Sequence, residues 1–119
     1  MLYIADEVVT GFGRLVDLFA SESVFEIVPD IITFGKSFGN GFPVTAMVVS
    51  EENASALDKI SASSSYGGNP MACAAALASL QVIEEEGILE NVRSVGETIM
   101  DRMVKMKQEH PIIGDVTGK

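Results

Sequence analysis

The residues best suited to chemistry are a lysine and an aspartate that each follow a short apolar run. Lys36 comes two residues after the run 31–34 (IITF), which is bounded by Pro29 and by the glycines around the lysine. Short β-branched runs between proline and glycine are typical of buried strands. We therefore expect Lys36 at a strand end, where poor hydration would disfavour its ammonium form and leave an amine able to attack a carbonyl.

Asp6 has the equivalent place after the apolar run 2–5 (LYIA). In an open α/β sheet, ligands bind outside the carboxyl ends of the parallel strands, so Asp6 and Lys36 would share one edge. Pyridoxal phosphate chemistry needs such a pair, because an acid keeps the pyridinium nitrogen protonated and a lysine forms the Schiff base.

Simpler interpretations remain open for these residues. A lysine after a strand is commonly a surface residue, and a motif is a hypothesis until its structural context is known. The serine-rich stretch 60–66 (ISASSSY) is typical of a plain loop, although hydroxyls before a helix also suit an anion.

Three stretches together closely resemble the class III pyridoxal-phosphate-dependent aminotransferases of fold type I. They are IADEVVTGFGR at 4–14, PDIITFGKSFGNGFP at 29–43 and SSYGGNPMACAAAL at 64–77. That family includes ornithine, 4-aminobutyrate and β-alanine–pyruvate transaminases.

The resemblance implies roles for individual residues. Lys36 corresponds to the Schiff-base lysine and Asp6 to the pyridinium partner, while Val8 would lie against the cofactor ring. Ser65, with Ser64 before it, stands where the family has a threonine that reaches the cofactor phosphate of a neighbouring subunit. The resemblance therefore also implies a homodimer.

One position departs from the commonest family pattern. Many members have a glutamine after the valine of this motif, whereas this chain has Val9. An apolar residue there is frequent in the amine–pyruvate and ω-amino-acid branch, so the sequence resembles that branch.

The fold expectation is α/β, namely part of the large cofactor-binding domain, with a mostly parallel sheet and flanking helices. We expect strands at 2–5, 31–34 and 44–49, and helices at 51–57, 70–86 and 88–108. Residues 1–110 would belong to the large domain. Residues 111–119, beginning as a strand, would start a small C-terminal domain that is cut off, which makes the chain an internal piece of a longer enzyme.

Local signals support these helices. Ser50, and Asn69 with Pro70 after it, are good N-terminal signals, and Gly87 should end the second helix. The last helix carries an apolar stripe expected to pack in the core. The stripe consists of Leu89, Val92, Val95, Ile99, Met103 and Met106.

Composition excludes several classes of partner. The net charge of −9 argues against nucleic acid and anionic membrane surfaces. No apolar run is long enough to cross a membrane, and no basic and apolar leader is evident. The single cysteine, Cys73, is expected to be a small buried hydrophobe, which fits a cytoplasmic protein.

The sequence thus predicts a transaminase that moves an amino group between an amine or ω-amino acid and a keto acid such as pyruvate or 2-oxoglutarate. An aminomutase or decarboxylase of the same fold would use the same lysine and aspartate. A non-catalytic fragment of such an enzyme is the third interpretation.

Overall fold

A three-stranded mixed sheet carries the motifs in the computed structural model, which describes residues 1–59 and 64–118. The strands are β1 (Ile4–Asp6), β2 (Ile31–Phe34) and β3 (Ala46–Val49), in the order β1-β2-β3. β1 and β2 are parallel as expected, but β3 runs antiparallel to β2, so the described sheet is not mostly parallel. The reason is the connection 35–45, which is too short for a parallel crossover.

Four α-helices accompany the sheet. They are α1 (Ala20–Ser23), α2 (Glu51–Ala54), α3 (Pro70–Glu85) and α4 (Ile88–Glu109). Two 3₁₀ helices complete the described elements, at Lys36–Phe38 and at Ser55–Lys59. Residues 60–63 of the predicted serine-rich loop lie outside the described part of the chain.

The predicted signals at α3 are confirmed. The side-chain oxygen of Asn69 accepts hydrogen bonds from the N–H groups of Met71 and Ala72, at 2.9 and 3.3 Å. Gly87, between α3 and α4, has a φ of 64°, a left-handed conformation that favours glycine. The prediction for Ser50 was wrong in one respect, because its hydroxyl accepts from the side chain of Asn53 and from no backbone N–H.

Four phenylalanine rings form a cluster under the turn that carries Lys36. The contacting rings have centroids 5.2–5.9 Å apart and belong to Phe12, Phe19, Phe34 and Phe38. Two of them lie in the connection after β1 and two flank the lysine, so the cluster ties these two segments together.

Among the residues whose burial the structure describes, the buried apolar ones are few and mostly small. They are Ala5, Phe12, Val16, Ala20, Phe34, Ala72 and Ala76. The radius of gyration is 18.0 Å, against about 13.5 Å for a compact domain of this length. Much apolar surface therefore stays open.

Two burial predictions were wrong for the described chain. Val95, Ile99, Met103 and Met106 of the α4 stripe are exposed, because no other described element covers that side of the helix. Cys73 is also exposed, because it borders an open cavity beside Ala72 and Ala76 that no other described segment fills.

The segment after α4 differs from its prediction too. A turn begins at Pro111, and the described residues up to 118 form no strand. An ion pair of 2.7 Å between Lys107 and Asp115 holds this segment to α4, and Lys107, together with the N–H of Val116, lowers the pKa of Asp115. Among the described helices, none combines the length and the apolar character needed to cross a membrane.

Candidate functional site

Asp6 ends β1 and is tied to β2 by its side chain. Asp6 and Thr33 are partners in the parallel register, and the N–H of Glu7 continues the pairing with a 3.0 Å bond to the Thr33 carbonyl. Asp6 Oδ1 accepts hydrogen bonds from Thr33 Oγ1 and from the N–H of Val8, both at 3.2 Å. Within the described residues, Oδ2 has no hydrogen-bond partner, so one oxygen of this exposed carboxylate stays available.

Lys36 follows the end of the neighbouring parallel strand. It begins the 3₁₀ turn Lys36–Phe38 with a φ of 45°, a strained conformation for a residue with a Cβ. Phe34 and Phe38 on either side belong to the aromatic cluster, and their packing holds the turn in place. The described residues offer the Lys36 ammonium no ion pair or hydrogen bond.

The expectation that Lys36 is poorly hydrated was wrong for this chain. Its side chain is exposed, because no described segment covers this edge of the sheet. Nothing within the described residues therefore desolvates the amine.

Val8 lies between these two residues. It is half-buried, and a Cβ placed on Gly35 would be 3.3 Å from Val8 Cγ1. Val8 thus packs directly against the residue that precedes Lys36. The edge formed by Asp6, Val8 and the lysine turn is called the strand-end site below.

Ser64 and Ser65 are not brought to the strand-end site. Both are exposed in the turn before α3, where Ser64 lines a cavity of about 420 Å³ together with Phe38 and Asn69. Lys36 lines a different, more open groove, and residues 43–45 border both spaces. The roles predicted for these serines stay predictions.

Sequence reasoning missed how Glu7 is used. Its side chain is 2% exposed, and its carboxylate accepts a 2.6 Å bond from the N–H of Ser21 and a short bond from the hydroxyl of Thr10. Burial raises the pKa of Glu7, but these hydrogen bonds and one from the N–H of Ala20 outweigh it, and the pKa is lowered. The ionised Glu7 side chain therefore links the end of β1 to α1 through these hydrogen bonds.

Thr33 was missed as well, since its contact with Asp6 depends on strand register. The sequence offers only a weak signal, namely that each residue sits near the end of its apolar run. The two lie 27 positions apart in the chain.

The side chains present suit pyridoxal phosphate in their chemistry. Among the residues that the structure describes, Asp6 Oδ2 has no donor and could accept a pyridinium N–H, and the Lys36 amine has no partner. Val8 offers an apolar surface beside them, and hydroxyls precede the N-terminus of α3.

Comparison with known proteins gives consistent matches. The family model Aminotransferase class-III matches residues 1–119. Alanine–glyoxylate aminotransferase 2, mitochondrial, from Pongo abelii is 46% identical over 117 residues, 98% of this chain and 23% of that protein. Ethanolamine-phosphate phospho-lyase homolog 1 from Caenorhabditis elegans is 39% identical over 120 residues, 98% of this chain and 26% of that protein.

The fold also matches that of solved transaminase structures. The crystal structure of an S-selective transaminase from Arthrobacter sp. with alanine bound has a TM-score of 0.92 and 39% identity, covering 99% of this chain and 26% of that one. The chain thus spans about a quarter of the length of these proteins, and its fold is part of the α/β fold of such transaminases. With the family model matching along its whole length, this chain belongs to the class III aminotransferases.

Proposed function

We propose that the protein containing this chain is a pyridoxal-phosphate-dependent transaminase. It would move an amino group between an amine or ω-amino acid and a keto acid, pyruvate or 2-oxoglutarate. The observation that carries the proposal is the strand-end site, where two parallel neighbouring strands deliver Asp6 and Lys36 to one edge of the sheet.

Each residue of the site has a role in the proposed reaction. When bound, pyridoxal phosphate supplies an aldehyde that takes up the amino group and a ring that withdraws electrons from the substrate carbon. Lys36 would hold the cofactor through its amine. With the amino donor bound, Lys36 Nζ would move the proton of the donor's carbon, acting first as a base and then as an acid.

Asp6 would hold the ring nitrogen. Its Oδ2 would accept the pyridinium N–H, and its negative charge would keep that nitrogen protonated. Val8 would offer the ring an apolar branched side chain that excludes water.

Ser64 and Ser65 would bind the cofactor phosphate of a partner subunit. Their exposure, and their separation from Lys36 by residues 43–45, fit a contact made across a dimer rather than within one chain. Within such a protein we assign residues 1–110 to the large domain and residues 111–119 to the start of the small one.

The names of two relatives suggest alanine as the amino donor. In the reverse direction of the same reaction, pyruvate would be the acceptor. The mammalian relative is named for alanine, and the Arthrobacter structure has alanine bound. Alanine that gives up its amino group becomes pyruvate, while the accepting carbonyl compound becomes an amine. The apolar and exposed Val9 supports the same branch, because it offers the cofactor ring no polar contact.

A lyase is the second candidate. The nematode relative is named as a phospho-lyase although it is 39% identical over this region. The strand-end site would serve either outcome, since both begin with the same amine, acid and ring.

Titration of the whole protein that contains this chain with pyridoxal phosphate tests the proposal. We expect an absorbance band near the visible edge when pyridoxal phosphate is added, and its loss in Lys36→Ala. Lys105→Ala is the matched control, because Lys105 is an exposed lysine on α4. A band that survives Lys36→Ala unchanged would rule out the proposed attachment.

Product analysis separates the two candidates. Alanine with a range of carbonyl acceptors should yield pyruvate and the matching amine in equal amounts. Release of both phosphate and ammonia from a phosphorylated amino alcohol, leaving a carbonyl compound and without amino transfer, would instead establish the lyase.

A further inference from the structure

The two oxygens of the Asp6 carboxylate are in different situations. Oδ1 accepts from Thr33 Oγ1 and from the N–H of Val8, each at 3.2 Å. Oδ2 has no partner within the described residues. Two donors on one oxygen fix the rotation of the carboxylate and leave the other oxygen for a ligand.

Thr33 is well placed to act in this way. It is the register partner of Asp6 in the parallel pair, so both side chains lie on the same face of the sheet. A β-branched side chain has few χ1 rotamers, which keeps its hydroxyl near one position. The other donor is the backbone N–H of Val8, which stays in place when a side chain is replaced. The Thr33 hydroxyl is therefore the donor that a conservative substitution can remove.

We infer that Thr33 is a positioning residue for pyridoxal phosphate, acting through Asp6. Its hydroxyl binds Oδ1, fixes the orientation of the carboxylate and leaves Oδ2 for the pyridinium N–H. The inference rests on the proposed function, because it needs Asp6 as the partner of the ring nitrogen.

The test is the equilibrium dissociation constant of pyridoxal phosphate, titrated by absorbance with the naturally expressed protein. Thr33→Val removes the hydroxyl and keeps the branched shape that a strand favours. We expect it to raise the dissociation constant about fivefold to tenfold, which is within the range for the net contribution of one typical hydrogen bond. Thr33→Ser keeps the hydroxyl and should stay within about twofold of the parent protein.

Thr98→Val is the matched control. Its hydroxyl also makes a hydrogen bond, 3.0 Å to the carbonyl of Ser94 on α4, but lies away from the sheet. We expect no change in the dissociation constant for this variant. Thermal unfolding of all variants shows whether an effect on cofactor binding is accompanied by a loss of stability.

Asp6→Ala distinguishes the inference from the function on which it rests. In the Asp6→Ala background, Thr33→Val should have no further effect on the dissociation constant. An equal loss in both backgrounds, or no loss in Thr33→Val alone, would overturn the inference while leaving the role of Asp6 intact. If Asp6→Ala binds the cofactor as tightly as the parent protein, the proposed role of Asp6 is wrong, and the role of Thr33 that depends on it is wrong as well.

Discussion

Replacing Glu7 with glutamine should loosen the turn between β1 and α1. The carboxylate is buried, and one of its oxygens accepts from the Thr10 hydroxyl while the other accepts from the N–H of Ser21. Glutamine keeps the shape and one acceptor oxygen, and the Thr10 hydroxyl can turn to accept from the amide. What is lost is the charge that strengthens both bonds, about 2 kcal/mol in total.

Trypsin offers a direct assay, because the exposed Arg14 lies in the connection that Glu7 holds. Where opening is fast relative to cleavage, the rate follows the population of the opened form. A loss of about 2 kcal/mol corresponds to about thirtyfold faster cleavage after Arg14. Cleavage is followed by mass spectrometry of the naturally expressed protein.

Glu90→Gln is the matched control. The Glu90 carboxylate is exposed and pairs with Arg93 at 2.7 Å on the surface of α4, and such pairs contribute little. Cleavage after Arg14 should be unchanged in this variant. Equal cleavage rates in Glu7→Gln and Glu90→Gln would refute the proposal that the Glu7 carboxylate stabilises the connection between β1 and α1.

The pH dependence follows from the lowered pKa of Glu7, whose usual value is 4.5. A carboxylate with a depressed folded-state pKa stabilises the protein above its unfolded pKa, and this contribution is lost as pH falls through the folded value. The difference in thermal stability between the parent protein and Glu7→Gln should therefore be full at about pH 6 and shrink below about pH 4.5. A difference that grows on acidification would contradict this sign.

Two further substitutions test the frame around the site by thermal unfolding. Asn69→Ala removes the side-chain cap of α3 and should lower the free energy of unfolding by about 1 kcal/mol, whereas Asn69→Asp should retain most of the stability. If the alanine variant and the parent protein unfold at the same temperature, the cap contributes nothing. Gly39→Ala places a Cβ against the carbonyl oxygen of Phe42 and should cost more than about 2 kcal/mol. Gly114→Ala meets nothing within 4 Å and serves as its control, so similar losses in both would show that crowding is not the cause.

Local sequence signals were sufficient for the family and for most of the elements, although not for the strand expected after residue 110. The runs 2–5, 31–34 and 44–49 each overlap a strand, and Asn69, Pro70 and Gly87 mark the ends of α3 as predicted. These features depend on neighbours in the chain, such as a cap within one turn or a glycine with positive φ.

Burial was predicted less well, because it depends on what covers a surface. The stripe of α4 has the spacing of a core-facing helix, yet Ile99 and Met103 are exposed in the described chain. Lys36 likewise follows a strand that the sequence predicts to be buried, but only Phe34 of that strand is buried and Lys36 is itself exposed. Periodicity indicates which face is apolar, but only packing decides whether another segment lies on it.

The sequence by itself determined which residues could do chemistry, since Asp6 and Lys36 are recognisable from the runs that precede them. Only the tertiary structure decided how they are held: the parallel register that brings Thr33 to Asp6, the aromatic cluster that supports the strained Lys36, and the burial of Glu7. Each of these joins residues far apart in the chain, and such contacts are set by strand register and side-chain packing rather than by local sequence.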